Sequence, residues 1–160
     1  GRAGPDRPAA GGPAARAAVA LTPTRLGADK TVPYGIALLR LALGVLLLAH
    51  GGLKFLVFTL AGTAGFFASV GFPAWMAYVV APAEVLAGLA LIVGFQTRRV
   101  ALLTLPILLG ALSVHLGNGW VFSSPNGGWE FPAFLAVASL AQALLGSGAL
   151  SLDALRGASR

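Results

Sequence analysis

Four long apolar runs constrain this chain more than any other feature of its sequence. They cover about residues 34–58, 75–95, 99–117 and 131–145. A helix needs about 20 apolar residues to cross the hydrocarbon of a bilayer, within a range of about 17–25. The first two runs meet that length clearly and the third just does, whereas the fourth is short unless it continues to Leu150. We therefore predict an all-α fold, an integral membrane four-helix bundle over residues 34–150.

The composition is typical of a membrane protein. Hydrophobic residues make up 57% of the chain and charged residues only 10%, whereas a soluble globular domain carries about 25% charged residues. The net charge is +6, but the basic residues stand at the ends of the apolar runs, which favours a lipid bilayer over nucleic acid as the partner. The chain has no cysteine, which excludes disulfides and thiolate-held metal centres.

Two tails flank the predicted bundle. Residues 1–33 are rich in Ala, Gly, Pro and Arg without a sustained hydrophobic period, which predicts a disordered basic tail. Residues 151–160 are expected to form a short C-terminal tail. Between the first two runs, a short interfacial helix is predicted from an apolar stripe. The stripe consists of Phe66, Phe67, Val70 and Phe72.

The basic residues also predict an orientation. Lys and Arg occur in the N-terminal tail, between the second and third runs and at the C-terminus, while the other two connections have none. Because cytoplasmic loops carry the excess of Lys and Arg, we expect both termini on the inside. Trp75, Trp120 and Trp129 then fall at the opposite interface, as in an aromatic belt.

Few strongly polar residues interrupt the apolar runs. They are Arg40, His50, Lys54, Glu84, His115 and Gln142. Arg40 lies near the end of the first run, where we expect its long side chain to extend to the interface. Glu84 lies near the middle of the second run and Lys54 in the outer part of the first, and an unpaired charge at mid-membrane costs about 2.5–3.5 kcal/mol. An opposite pair facing the bundle interior avoids that cost, so we expect Lys54 and Glu84 to meet.

Helical spacing predicts an inward cluster of His50, Lys54 and Glu84. Small residues share the helix face of Glu84, and glycines accompany His50 and Lys54, so both faces suit close helix packing. These small residues are Gly44, Gly51, Ala77, Ala81 and Gly88. The cluster is either a buried ion pair that sets helix register, or a catalytic site that handles protons or an anionic or quinone-like ligand.

A second polar cluster follows the third run and precedes the fourth. Within the stretches "SVHLGNGW" and "PNGGWEFP", His115, Asn118 and Glu130 are candidate ligand-binding residues. Alternatively, Glu130 is an acid that favours a helix N-terminus, and His115 caps its own helix. His50 lies about two turns inside its helix and His115 at a helix end, and this difference in depth argues against a shared haem. No metal-ligand spacing is apparent.

Several stretches resemble the DoxX family of small four-helix bacterial membrane proteins. They are "LLRLALGVLLLAHGGLKF", "GFPAWMAYVVAPAEVLAGLALIVGFQTR", "VHLGNGW", "NGGWEFP" and "GALSLDAL", which span about residues 36–155. The family pattern maps onto Arg40, Gly44, His50, Gly51, Lys54, Glu84, Gly88, His115, Asn118, Gly119, Gly128 and Glu130. Trp129 and Phe131 stand where tyrosines are common in relatives.

The resemblance implies a multi-pass protein of the bacterial plasma membrane that is linked to redox metabolism. Some relatives, such as the DoxD-type subunit of thiosulfate:quinone oxidoreductase, are assigned to quinone reduction. By that analogy His50 and Lys54 would bind or protonate a reduced oxygen, Glu84 would hold or relay the proton, and a partner subunit would supply electrons. The alternatives are a non-catalytic scaffold that recruits a redox partner, and a small transporter or proton pathway. Self-association into a homo-oligomer is a further expectation.

Overall fold

The described part of the chain is all-α. The computed structural model describes residue 1 and residues 30–157, so most of the predicted tail over residues 1–33 lies outside the described residues. The helices are α1 (Val32–Leu56), α2 (Leu60–Ser69), α3 (Ala77–Val93), α4 (Thr97–His115), α5 (Glu130–Leu145) and α6 (Leu152–Leu155). Single 3₁₀ turns precede α3 at Ala74–Met76 and follow α4 at Leu116–Asn118.

Each of the four predicted apolar runs is a helix, and local residues explain where several of them begin and end. Pro33 lies in the first turn of α1, where its missing N–H removes no helical hydrogen bond. Gly94 ends α3 in the left-handed conformation, at φ 70°, which a residue without a Cβ adopts readily. The predicted short helix after the first run is confirmed as α2, which the Thr59 hydroxyl caps by accepting from Gly62 N.

Three helical stretches are long and apolar enough to cross a membrane: Val32–Leu56, Ala74–Val93 and Thr97–Asn118. Helix α5 is apolar but has 16 residues and ends at Leu145, so the fourth run does not continue to Leu150. Outward-facing leucines on these helices, such as Leu38, Leu103 and Leu144, are about 70% exposed. An apolar exterior of this kind suits lipid as the surrounding solvent.

Helices α1 and α3 pack together at glycine contacts. A Cβ added at Gly88 would lie 2.6 Å from Leu48 N and 2.8 Å from Gly44 O, and one added at Gly51 would lie 2.8 Å from Val85 Cγ2. Backbones this close leave no room for side chains at these positions. Helices α4 and α5 form the second close pair, with the buried hydroxyls of Thr104 and Ser139 2.7 Å apart. A leucine-rich core joins the two pairs.

Arg40 ties the end of α3 to the segment that follows α5. Its guanidinium is fully buried, and Nη1 donates to the carbonyls of Leu91 and Ile92 at 2.6 and 2.7 Å. Nε and Nη2 donate to three carbonyls of residues 147–150, at distances between 2.9 and 3.2 Å. The expectation that Arg40 extends to the interface is therefore wrong, because these five carbonyls satisfy its donors inside the protein.

The same end of the bundle carries two further links between helix ends. Asp153 of α6 is buried, and its two carboxylate oxygens accept from Gln96 N and Thr97 N at the start of α4, each at 2.8 Å. Arg98 donates to the carbonyls of Ala143 and Leu144 at the end of α5. The segment expected as a C-terminal tail thus includes α6, and its last three residues, 158–160, lie outside the described residues.

Candidate functional site

A cavity of about 310 Å³ opens near the end of the bundle where α1 finishes and α5 begins. All five helices from α1 to α5 contribute to its wall, which is mostly apolar. The aromatic and branched side chains of the wall include Phe66, Phe67, Phe72, Ile107, Phe131 and Leu135. Its ionisable residues are His50, Lys54, Glu84 and His115. A mostly apolar cavity with a few polar groups is the usual form of a small-molecule site.

Lys54 and Glu84 form the ion pair that the sequence predicts. Lys54 Nζ lies 2.6 Å from Glu84 Oε2, and the side chains are 18% and 8% exposed. Gly51 makes the contact possible, because a Cβ there would lie 3.0 Å from Glu84 Cβ. Charge compensation at this short distance reduces the cost of holding either charge in an apolar wall.

The pair still offers hydrogen-bonding capacity to a ligand. A lysine ammonium has three hydrogens, and besides Glu84 its only described partner is the carbonyl of His50, at 3.5 Å. Within residues 30–157, Glu84 Oε1 has no hydrogen bond. The site therefore presents at least one free hydrogen on Lys54 and a free carboxylate oxygen on Glu84.

Both histidines of the cavity are fixed in the same way. Nδ1 of His50 lies 2.7 Å from the carbonyl of Leu46, and Nδ1 of His115 lies 3.0 Å from the carbonyl of Gly127. A carbonyl oxygen only accepts, so Nδ1 carries the hydrogen in each ring. In the neutral imidazole Nε2 is then an acceptor, and neither Nε2 has a hydrogen bond in the described part of the chain.

Asn118 and Glu130 organise the loop between α4 and α5 instead of lining this cavity. Asn118 Nδ2 donates to the carbonyls of Asn126 and Gly127 at 3.1 and 3.0 Å. Glu130 Oε1 accepts from Phe122 N at 2.8 Å and lines only a shallower outer groove. These bonds hold the Gly127 carbonyl where His115 meets it, and Asn118 Nδ2 also lies 3.5 Å from His115 Nδ1.

The structure brings together residues that the sequence separated. His115 was grouped with the loop because it ends the third apolar run, yet it lines one cavity together with His50. The contribution of Phe131 was missed, although its ring centroid lies 6.2 Å from that of His50. The apolar stripe on and after α2 was expected at the interface, and all four of its side chains line the cavity wall.

The cavity suits an organic ligand with polar edges better than a metal ion. Among residues 30–157 there is no group of three or more His, Asp or Glu side chains placed to hold a metal. The wall combines one ammonium donor, one carboxylate and two imidazole acceptors with several aromatic rings. Such a wall has the composition of a site for a small organic molecule.

Comparison of the sequence with known proteins identifies a family. The DoxX family profile matches residues 35–116. The chain is 36% identical over 126 residues to a Bacillus subtilis protein named "Putative oxidoreductase CatD", covering 78% of this chain and 89% of that protein. It is 32% identical over 127 residues to an uncharacterized Haemophilus influenzae protein, covering 78% of this chain and 92% of that protein. No solved structure matches. The chain, a multi-pass membrane protein by its three candidate spans, belongs to the DoxX family.

Proposed function

We propose that this protein is the membrane subunit of a quinone-linked redox system and binds a quinone-type ring in the cavity. The observation that carries the proposal is the Lys54–Glu84 pair, which lies in an apolar wall and keeps a free hydrogen on Lys54. A related protein bears the name of an oxidoreductase, which supports the reaction class.

The dimensions and chemistry of the cavity fit such a ring. Ligand sites commonly measure about 300–1,000 Å³, and this cavity, at about 310 Å³, accommodates a small ring system. Phe66, Phe67 and Phe131 offer aromatic surface for the ring. Lys54 can donate to a ring carbonyl, as a charge-assisted hydrogen bond.

Reduction of a quinone to its diol consumes two electrons and two protons. In this proposal Lys54 holds a ring oxygen and stabilises the negative charge that develops there. Glu84 keeps the ammonium in place and, together with His50, handles protons near it. The electrons come from a soluble or membrane partner subunit, since the chain, which lacks cysteine, cannot supply a dithiol of its own.

The direct test is what the purified protein contains and binds. Mass spectrometry of protein extracted in mild detergent should find a quinone, and a short-chain benzoquinone should quench tryptophan fluorescence saturably. Lys54→Met should weaken this binding about tenfold or more, the worth of a charge-assisted hydrogen bond. The adjacent Leu53→Met, on an exposed side chain, is the matched control. Absence of both bound quinone and saturable quenching would overturn the proposal.

Two other functions would give different results in the same preparations. A scaffold that recruits a redox partner would co-purify with a protein and without quinone. A proton pathway would conduct protons in liposomes and lose conduction in Glu84→Gln.

We further propose that the protein lies in the bacterial plasma membrane with both termini on the cytoplasmic side. The support is that the exposed Arg98 and Arg156 lie at the end of the bundle where α3 meets α4 and α5 meets α6. Because the chain has no cysteine, single cysteines report accessibility cleanly. Ser123→Cys should react with an impermeant maleimide on intact cells, and Leu155→Cys only after permeabilisation. The reverse pattern would invert the topology.

A further inference from the structure

Hydrogen-bond acceptors outnumber donors on the cavity wall. The free acceptors are Nε2 of His50, Nε2 of His115 and Oε1 of Glu84, and the free donor is the ammonium of Lys54. The backbone enforces this imbalance, because the carbonyls of Leu46 and Gly127 hold the hydrogen of each neutral ring on Nδ1.

The two redox forms of a quinone differ in what they offer these acceptors. A quinone oxygen is a carbonyl and only accepts, so it can be matched by Lys54 but not by either histidine. A diol oxygen carries a hydrogen and also keeps lone pairs, so it can donate to Nε2 or Oε1 and still accept from Lys54. An acceptor left unpaired in an apolar cavity weakens binding.

We infer that the cavity binds the reduced, dihydroxy form of its ring ligand more tightly than the oxidised form, through Nε2 of His50 and of His115. This inference rests on the proposed quinone-type ligand and goes beyond it by assigning the preferred redox state and the residues that select it. Lys54 binds both forms, whereas the histidines discriminate between them.

The preference has a consequence for electron transfer. A site that holds the reduced form more tightly makes reduction of the bound ring easier, so the midpoint potential of the bound couple rises. For this two-electron couple each tenfold ratio of dissociation constants corresponds to about 30 mV. The cavity therefore favours acceptance of electrons from the partner.

The test compares the dissociation constants of a short-chain benzoquinone and of its diol under argon, by tryptophan quenching at about pH 8. The diol should bind about tenfold more tightly, the worth of one net hydrogen bond. The informative variant is His50→Asn/His115→Asn. The side-chain amide nitrogen of asparagine can replace Nδ1–H as the donor to the carbonyls of Leu46 and Gly127. Asparagine has no atom equivalent to Nε2, so the acceptor on the cavity side is lost.

In the double asparagine variant the ratio of the two dissociation constants should fall towards one, because the reduced ring loses two acceptors that the oxidised ring does not use. Lys54→Met should instead weaken both forms together. If the two forms bind the unmodified protein equally well, the inference is overturned. An unchanged ratio of dissociation constants in the double variant also overturns it. Neither result contradicts the proposed function. Failure of both forms to bind overturns the proposed function and the inference with it.

Discussion

Lys54 on α1 and Glu84 on α3 meet at 2.6 Å in the wall of an apolar cavity. The same contact thus belongs to helix packing and to the candidate ligand site. Gly51 lets the two helices approach at this level, and the opening beside the pair leaves part of its hydrogen-bonding capacity free. Variants of the pair can separate its structural contribution from its contribution to binding.

Removing one charge should destabilise the protein more than removing both. In Glu84→Gln the ammonium of Lys54 stays in the wall without its partner, and the unfolding free energy should fall by about 2 kcal/mol. This loss is smaller than the roughly 3–5 kcal/mol expected when one partner of a fully buried ion pair is removed, because Lys54 is partly exposed. The double variant Lys54→Met/Glu84→Leu should recover most of that stability yet bind quinone about tenfold or more weakly. If the double variant binds quinone normally, the pair is structural only.

Adjacent glycines on α1 offer a matched comparison of helix packing. Gly51→Ala should lower the unfolding free energy by about 1–3 kcal/mol, because the new methyl group meets Val85 on α3. Gly52 has nothing within 4 Å of an added Cβ, so Gly52→Ala should be neutral or stabilise by about 0.5–1 kcal/mol. Thermal unfolding in detergent measures both. Equal effects would mean that α1 and α3 do not approach closely at Gly51.

Arg40→Lys should be strongly destabilising although the charge is kept. An ammonium has three hydrogens on one atom and cannot satisfy five carbonyls spread over α3 and residues 147–150. We expect a loss of about 3 kcal/mol, in line with charged hydrogen bonds worth about 1.5–3 kcal/mol each. The control is Arg99→Lys, on an exposed side chain. Similar melting temperatures for the two variants would contradict the buried position of Arg40.

Asp153→Ala should loosen the start of α4. The amides of Gln96 and Thr97 lose their carboxylate acceptor, which should cost about 1 kcal/mol, as for other N-terminal caps. Hydrogen exchange at these two amides should accelerate, while amides in the middle of α4 change little. Leu155→Ala alters an exposed side chain of the same short helix and should leave the exchange of both amides unchanged. Unaltered exchange in Asp153→Ala would show that α6 does not cap α4.

Helix positions were predictable because they depend on local properties. Apolar run length, Pro33 and Gly94 act within one segment, and the predicted bounds of the four main helices differ from the observed ones by about two residues. The contact between Lys54 and Glu84 was predictable for a different reason. An apolar surrounding makes an isolated charge costly, so two opposite charges on small-residue faces have strong cause to meet.

The surroundings of Arg40, His115 and the stripe after α2 were not predictable in the same way. Their contacts are with groups distant in sequence, such as the carbonyls of residues 147–150 for Arg40. Backbone carbonyls carry no sequence signal, because every residue has one. Sequence spacing therefore could not distinguish an arginine that reaches the interface from one that is buried and fully hydrogen-bonded.

The amino-acid sequence was sufficient to predict the all-α class, the helix positions, three of the four expected membrane spans and the pairing of Lys54 with Glu84, because hydrophobic length and charge cost are properties of single segments. It was not sufficient to show that His50 and His115 share a cavity and that backbone carbonyls hold the hydrogen of each ring on Nδ1, which the folded structure establishes. Those outcomes depend on how α1 and α4 are placed relative to the loop before α5, and helix placement is set by packing across the whole bundle.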